Sequence, residues 1–585
     1  MPVSYKHIIL SFLFLLAGNY DGIAQSGDKH LVFSNGHPLL SELENAHRSG
    51  DISLEEKLLF TFYAGLQPGK LPDRLRPLAE MPIKCPVPAI HAYRAAGDGL
   101  SAAVAEEIES MFLNTPKQTA NTFLSPSGRF LLHYEMTGED AVPDTDESGV
   151  PGVPDYVERA AAAADSSWNH EVVRLGFSDP VIAGDPYDIH FRSMGFYGYT
   201  VIENNTTAIT LHNNYLGFPE NTDPEGNPVG AMKVTVAHEL KHAIQYANSR
   251  WMGEAGDFAW SEMDATLMEE VVYDNVNDYY NYIKDPESIF LAPEESIPGA
   301  YFDVSWFIFY WEKYGSEFFV DTWQVIREDP LIPFLDALKT ALVPFDESFS
   351  RSFSESHLWH YAAGDQRSRV DFGFEEREAY PSSRLAARFS SVGEVASYAD
   401  TLAPLSANYL QVIPSGGEEG QPQLTLSAPD GTLNIGVVIY LKNGPTETFY
   451  DFTSSDRSSV EMRLTYRWNE IEQLGIAVSN SNTGLEAGYN VTVESFTPER
   501  LVLQQNYPNP FNPGTVIRFS LPQAGDVQLK VYDLTGRLIQ TLVNGERPAG
   551  LHEVTFDGSR LASGIYFYQL VTGQEVMTRK MTLIK

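Results

Sequence analysis

The spacing of apolar residues changes character once along this chain, near residue 390, and that change limits what it can fold into. Before that point helical and strand-like runs are mixed. Residues 54–66 repeat at three and four, and 130–134 alternate. Residues 154–175 are helical, 187–191 and 207–211 are strand-like, and helical spacing dominates after 231. After it come short alternating runs at 409–412, 424–426, 435–441, 474–478 and 489–493, punctuated by turn residues. One texture followed by another predicts separate domains, α+β first and all-β sandwiches after. The length of 585 residues agrees, since a domain holds about 100–200. Expected divisions are a leader at 1–24, an N-terminal segment at 25–117 that is a propeptide or a lobe, an α+β domain at 118–381, a β-sandwich at 390–498 and a smaller β-sandwich at 505–585.

The leader has the layout of a secretory signal peptide. Lys6 is followed by the apolar run 8–17, and Gly22-Ile23-Ala24 offers a cleavage site before Gln25. The apolar run is shorter than the ~20 residues a spanning helix needs, so the mature protein is expected to carry no transmembrane span. Forty Lys and Arg against 78 Asp and Glu leave a net charge of −38, which argues against nucleic acid as a partner. Cys85 is the chain's one cysteine. It excludes an intrachain disulfide and a zinc site built from cysteines, and it reads as a small buried apolar residue.

The chemistry concentrates at His238-Glu239-Leu240-Lys241-His242, an HExxH motif. On a helix, residues four apart project from one face, so both imidazoles reach one Zn²⁺, and Glu239 lies about 100° round, placed to act as base on a water that zinc activates. Val236, Leu240, Ala243, Ile244 and Ala247 form the apolar stripe of a packed helix. Gln245 and Asn248 stand where a three-histidine metzincin would have Gly and His. The third ligand is sought downstream, where Trp260-Ser261-Glu262-Met263-Asp264-Ala265 resembles the W-x-E-x-x-A element of gluzincins, with Met263 in place of the usual Gly. That resemblance implies a zincin-like catalytic domain with Glu262 as a zinc ligand. Glu254, Asp257 and Glu270 are the alternatives. On the same helix face as Glu262, Glu269 is placed to orient a ligand histidine from outside the ligand set. Tyr301, ahead of the apolar run 304–314, is a candidate to stabilise the oxyanion, with Tyr273 and His212 as others. Residues 206–211 are the expected edge strand for an extended peptide. The stretch 125–320 is also similar to a broader group of secreted bacterial metalloproteases, through Ser125-Pro126-Ser127-Gly128-Arg129-Phe130, Pro154-Asp155-Tyr156-Val157, residues 233–245 and Asn277-Asp278-Tyr279.

A second metal motif precedes it. From Asp144 as position 1, oxygen donors fall at Asp144, Asp146, Ser148 and Asp155 (position 12), with Gly149 at position 6. This is the layout of an EF-hand-like calcium loop, with Asp in place of the final Glu and with Pro151 and Pro154 inside.

The last block holds Asn506-Tyr507-Pro508-Asn509-Pro510-Phe511-Asn512-Pro513, Tyr532-Asp533-Leu534-Thr535-Gly536, Ser563-Gly564-Ile565-Tyr566 and the Lys580-containing tail. It resembles the C-terminal sorting domains of proteins exported by the type IX secretion system of Bacteroidetes-like bacteria. The resemblance implies a partner in the secretion machinery and a place outside the cell or on the outer-membrane surface.

The expected function is a secreted zinc metalloendopeptidase acting on protein or peptide substrates. One rival is a non-catalytic zincin-like surface or adhesion protein, against which the intact Glu239 weighs. Another is a zinc aminopeptidase, which needs an acidic anchor for the substrate amine such as the GxMEN pattern, and the sequence holds none.

Overall fold

A computed structural model describes residues 37–585 apart from 114–120, 148, 181–185, 204–205, 253–257, 366, 391–395, 417–419, 430 and 574. The expected signal peptide lies outside the described residues. The described residues form a multidomain chain that mixes helices with five β-sheets.

The N-terminal segment forms a helical lobe of α1 (Pro38–Ser49), α2 (Leu54–Leu66), α3 (Val87–Ala96) and α4 (Ala102–Leu113). Local chemistry sets its boundaries. Gly50 ends α1 in the left-handed region at φ 79°. Ser53 and Glu56 make a reciprocal capping box at the start of α2, with Ser53 N donating to Glu56 at 2.8 Å and Glu56 N to Ser53 Oγ at 3.2 Å. The apolar faces of these helices do not close on themselves. Leu39, Leu58, Phe62, Ile108 and Met111 share one buried core with Met194, Phe196, Tyr199 and Tyr301 of the next domain.

That domain is built on β1 (Asn121–Leu124), β2 (Phe130–Tyr134), β3 (Tyr187–Arg192), β4 (Gly198–Glu203) and β5 (Thr206–His212), in the order β1-β2-β3-β5-β4. Strands β2, β3 and β5 run parallel, while β1 and β4 are antiparallel to their neighbours. The expected edge strand at 206–211 is therefore internal. Six of the seven residues of β5 are buried, as a strand covered on both faces must be, and the edge on that side of the sheet belongs to β4. Helix α5 (Asp155–Trp168) packs on the sheet and continues into one π-helical turn at Asn169–Arg174. Then follow α6 (Asn227–Ser249), α7 (Phe258–Val272), the short α8 (Tyr280–Ile283), α9 (Val304–Glu328), α10 (Phe334–Ala341) and α11 (Phe349–Tyr361). The apolar run expected at 304–314 is the first half of α9, which breaks at Gly315 with φ 76° before continuing.

The β-sandwich comprises β6 (Ala387–Phe389), β7 (Ala396–Leu402), β8 (Ser406–Val412), β9 (Gln421–Ser427), β10 (Asn434–Leu441), β11 (Glu447–Phe452), β12 (Ser459–Arg463), β13 (Ile471–Asn480) and β14 (Ala487–Phe496). Sheets β11-β10-β13-β8-β6 and β12-β9-β14-β7 enclose one apolar core. The outer face of the first sheet is covered by α11, where Leu358 and Tyr361 pack on Tyr409, Val438 and Ala477. The approach is close at Gly475, where a Cβ would stand 2.1 Å from a Tyr361 ring carbon. Gly475→Val is expected to destabilise this junction by about 1–3 kcal/mol, read as a lower calorimetric melting temperature. An unchanged thermogram would mean that α11 does not seat there.

The last unit begins at β15 (Val502–Leu503), slightly before the expected boundary. It continues through β16 (Gly514–Leu521), β17 (Gly525–Asp533), β18 (Leu538–Arg547), β19 (Gly550–Asp557), β20 (Gly564–Thr572) and β21 (Glu575–Leu583), in two sheets around a core of its own.

Candidate metal centre

Helix α6 carries the HExxH motif for 23 residues beneath β4 and β5. A proline in its first turn suits the helix start, and Val236, Leu240, Ala243 and Ile244 are buried against the sheet and neighbouring helices. The polar residues between them are buried too: His238, Glu239 and His242 are at most 1% exposed. Buried polar groups need partners, and those partners define the site.

His238 Nδ1 lies 2.7 Å from Glu269 Oε1, and a carboxylate only accepts, so Nδ1 is the donor and Nε2 faces the other way. His242 is fixed similarly. Gln245 Nε2 donates to Ser261 O and Asp264 Oδ2, both at 2.9 Å, so Gln245 Oε1 is the atom that accepts from His242 Nδ1 at 2.8 Å. The two Nε2 atoms then face each other 3.1 Å apart. Glu262, from α7, completes the triangle with Oε2 3.1 Å from His238 Nε2 and Oε1 3.2 Å from His242 Nε2. Two ring nitrogens and a carboxylate converging at these distances surround a place for a positive charge, which a proton on His238 fills in the absence of a metal. Burial works against a charge on His238, but Glu262 and Glu269 outweigh it and raise its pKa to about 10. Burial likewise opposes ionisation of Glu262, while His242 and His238 hold its pKa far below the usual carboxylate range.

A fourth donor arrives from the N-terminal lobe. Among the described residues, the group of His, Cys, Asp and Glu whose donor atoms lie within 4.8 Å of one another is Cys85, His238, His242 and Glu262. Cys85 Sγ stands 3.8 Å from His242 Nε2. Burial, Glu239 and Glu262 push the thiol well above its ordinary pKa. Cys85 is buried, as its residue type suggested, and its sulfur faces the His238, His242 and Glu262 group. A single thiol builds no cysteine site, yet it can be one donor of a mixed set. No local spacing connects it to a motif 157 residues away.

Glu239 lies beside this group. Its Oε2 accepts from Thr200 Oγ1 at 2.8 Å, while its Oε1 is buried without a partner. Burial raises its pKa. Thr200 sits on β4, one of the two edge strands of the sheet, so the fold sets the motif's acid against a sheet edge. Tyr301 lies beside the group. Its ring is 6.2 Å from that of His238, and its hydroxyl donates to the Cys85 carbonyl at 3.4 Å. Tyr273 and His212 are engaged elsewhere. Tyr273 donates to Ala163 O at 3.0 Å, and His212 Nδ1 accepts from the backbone of Asn214 and Tyr215. Of the alternative ligands, Glu254 and Asp257 lie outside the described residues. Glu270 faces Glu376, Asp274 and Glu312, and burial with those charges raises its pKa to about 9. Sequence reasoning also missed Lys84. Its Nζ is buried between Glu269 Oε2 and Asp278 Oδ2, 2.9 Å from each.

The expected calcium donors are not brought together. Asp144, Asp146 and Asp155 form no group of converging carboxylates among the described residues, and Ser148 lies outside them. Asp146 Oδ2 instead accepts from Gly152 N at 2.8 Å and Asp155 Oδ2 from Glu147 N at 3.4 Å, so these carboxylates tie the turn to the start of α5.

No curated protein matches the chain. Solved structures that share local similarity include a β-glucuronidase of Faecalibacterium prausnitzii, at 11% identity over 32% of this chain and 37% of that one, with a TM-score of 0.12. β-Glucuronidase 3 of Bacteroides uniformis follows at 9% identity over 32% and 27%, with a TM-score of 0.11. The chain thus spans about a third of the length of the structures it matches, and at such TM-scores the likeness carries no argument about fold or chemistry. Among the described residues no helix is long and apolar enough to cross a membrane. Residues 505–585, which include β16 to β21, match the family described as secretion system C-terminal sorting domain. The chain therefore carries a type IX sorting tail that engages the secretion machinery, and it is a secreted or outer-membrane-surface protein of Bacteroidetes.

Proposed function

We propose that this protein is a zinc-dependent hydrolase of peptide bonds, with a zincin-like domain of the gluzincin kind at residues 121–381. The observation that carries the reading is the convergence of His238 Nε2, His242 Nε2 and the Glu262 carboxylate, with the unpartnered Oε1 of Glu239 beside them. Two imidazoles and a carboxylate are a donor set of catalytic zinc sites, and the buried orphan oxygen fits a group that waits for a proton. Zinc held there would supply Lewis-acid polarisation of a water and of the substrate carbonyl.

The remaining work falls to the chain's own groups. Glu269 and Gln245 hold the two rings in the tautomer that presents Nε2 inward. Thr200 occupies Glu239 Oε2, so Oε1 is the atom left to take a proton from the attacking water and pass it to the leaving amine. The raised pKa of Glu239 brings it closer to neutral pH, where a base that must also act as an acid works best. Edge strand β4 offers backbone groups to an extended substrate. Tyr301, which already donates to a peptide carbonyl at the site, is placed to stabilise charge on a substrate carbonyl oxygen.

Metal content tests the reading directly. Purified full-length protein is expected to hold one zinc per chain by elemental analysis, and His238→Ala and His242→Ala less than about a tenth of that, because each substitution removes one of the two imidazoles that would hold the ion. A wild-type chain that binds no zinc, or both variants binding it fully, overturns the assignment.

A further inference from the structure

The N-terminal lobe does more at this centre than cover it. Ile83 pairs with Phe196 in an isolated parallel bridge two residues before edge strand β4. Ile83 N donates to Gly195 O at 2.8 Å, and Tyr197 N donates to Ile83 O at 3.1 Å. Those are the hydrogen bonds of a peptide laid on a sheet edge. The next residue, Lys84, places its Nζ between Glu269, which orients His238, and Asp278. The residue after that, Cys85, brings its thiol into the donor group and its carbonyl to the Tyr301 hydroxyl. Three consecutive residues thus take the strand edge, the acidic group behind the ligand and the metal position. Packing holds them there. Gly65 of α2 lies so close to Phe196 that a Cβ on it would stand 2.1 Å from the ring, and Gly195 N donates to Gly65 O at 2.7 Å. The core of the lobe is completed by Phe196, Tyr199 and Tyr301, all from the region of the site.

We propose that residues 83–85 sit in the site as a built-in substrate mimic, with the Cys85 thiolate as fourth zinc ligand, and that the lobe of residues 37–113 keeps the hydrolase latent until it is displaced. The proposal rests on the zinc hydrolase reading and specifies its regulation. On binding, the Cys85 S–H bond breaks, its proton goes to solvent and a sulfur–metal bond forms. On displacement that bond breaks and the thiolate regains a proton from solvent. What remains is three protein donors and one open position, the donor count of a catalytic zinc site, where four protein donors make a closed one. The occupant is part of the same chain, so its effective concentration at the site is set by the connection to β1, and no separate inhibitor is needed.

The first readout is independent of turnover. Zinc K-edge absorption of the full-length protein is expected to show one sulfur scatterer at about 2.3 Å beside nitrogen and oxygen, lost in Cys85→Ala while zinc content persists. Zinc bound with no sulfur in its shell overturns the ligand assignment. The second readout is hydrolysis of an unstructured protein such as casein by three forms: wild type, Cys85→Ala, and Cys85→Ala cut at a site for a sequence-specific protease inserted within 114–120. The expectation is a gain of at least tenfold over wild type in one or both altered forms. Equal, measurable turnover in all three overturns latency and leaves the hydrolase reading standing. Zinc with a sulfur ligand but no turnover in any form overturns the hydrolase reading instead, and leaves a closed structural centre.

Discussion

Glu239→Gln is expected to fold, keep its zinc and lose about 10²- to 10⁴-fold in peptide hydrolysis, or about 3–5 kcal/mol of barrier. The substitution preserves shape. The amide oxygen of the substituted side chain can still accept from Thr200 Oγ1, which now holds Glu239 Oε2 at 2.8 Å. It removes only the ability of the free oxygen to take and return a proton. None of the proposed ligand atoms belongs to Glu239, so metal content should not move. The comparison is cleanest in a chain that also carries Cys85→Ala, with and without Glu239→Gln, so that a fourth donor cannot mask the chemistry in either member. Turnover within a factor of two between them would assign the base elsewhere. If zinc disappeared together with activity, the substitution would have disturbed the centre itself, and a role for Glu239 in proton transfer would lose its support.

Truncation after Pro498 should abolish surface delivery while leaving zinc binding and hydrolysis at wild-type levels. The cut falls there rather than at residue 505 because Val502 and Leu503 pair with Ser520 and Phe519 of β16, so β15 belongs to the tail. The tail buries Phe511, Ile517, Phe519, Leu529, Val531, Tyr568, Leu570 and Met581 in a core of its own. Its described polar ties to the preceding sandwich include the Gln421 side chain, which accepts from Leu551 N at 2.6 Å and donates to Leu551 O at 3.1 Å. Losing two such bonds costs the sandwich little, since a typical hydrogen bond contributes about 0.5–1.5 kcal/mol net. Fractionation of an expressing Bacteroidetes host should find the full chain at the cell surface or in the medium and the truncated chain inside. Equal amounts of both outside the cell would refute a sorting role for the tail.

How far the sequence reached differs between elements and sites. Helix α2 and strand β2 fall on the residues that periodicity assigned to them, because their caps and alternation are local. The edge of the main sheet did not follow. Residues 198–203 and 206–212 both have the composition of strands, and which of them is central depends on parallel pairing with β3, a contact between distant residues. The calcium loop was read from spacing, which counts donors but does not place them; in the fold Asp146 and Asp155 accept hydrogen bonds from the turn's own backbone, and the described carboxylates do not converge.

At the centre itself, the sequence alone determined His238, Glu239 and His242, since four residues of helix place two imidazoles on one face wherever the helix lies. It reached Glu262 only through resemblance, and the packing of α7 on α6 is what puts that carboxylate 3.1 Å from His238 Nε2. Cys85, Lys84 and Thr200 were decided by tertiary structure alone. They come from a lobe and a strand with no fixed distance in sequence from the motif. They meet it because the lobe cannot close its own apolar core and completes it against Phe196, Tyr199 and Tyr301, which carries residues 83–85 past the sheet edge to the His238, His242 and Glu262 group.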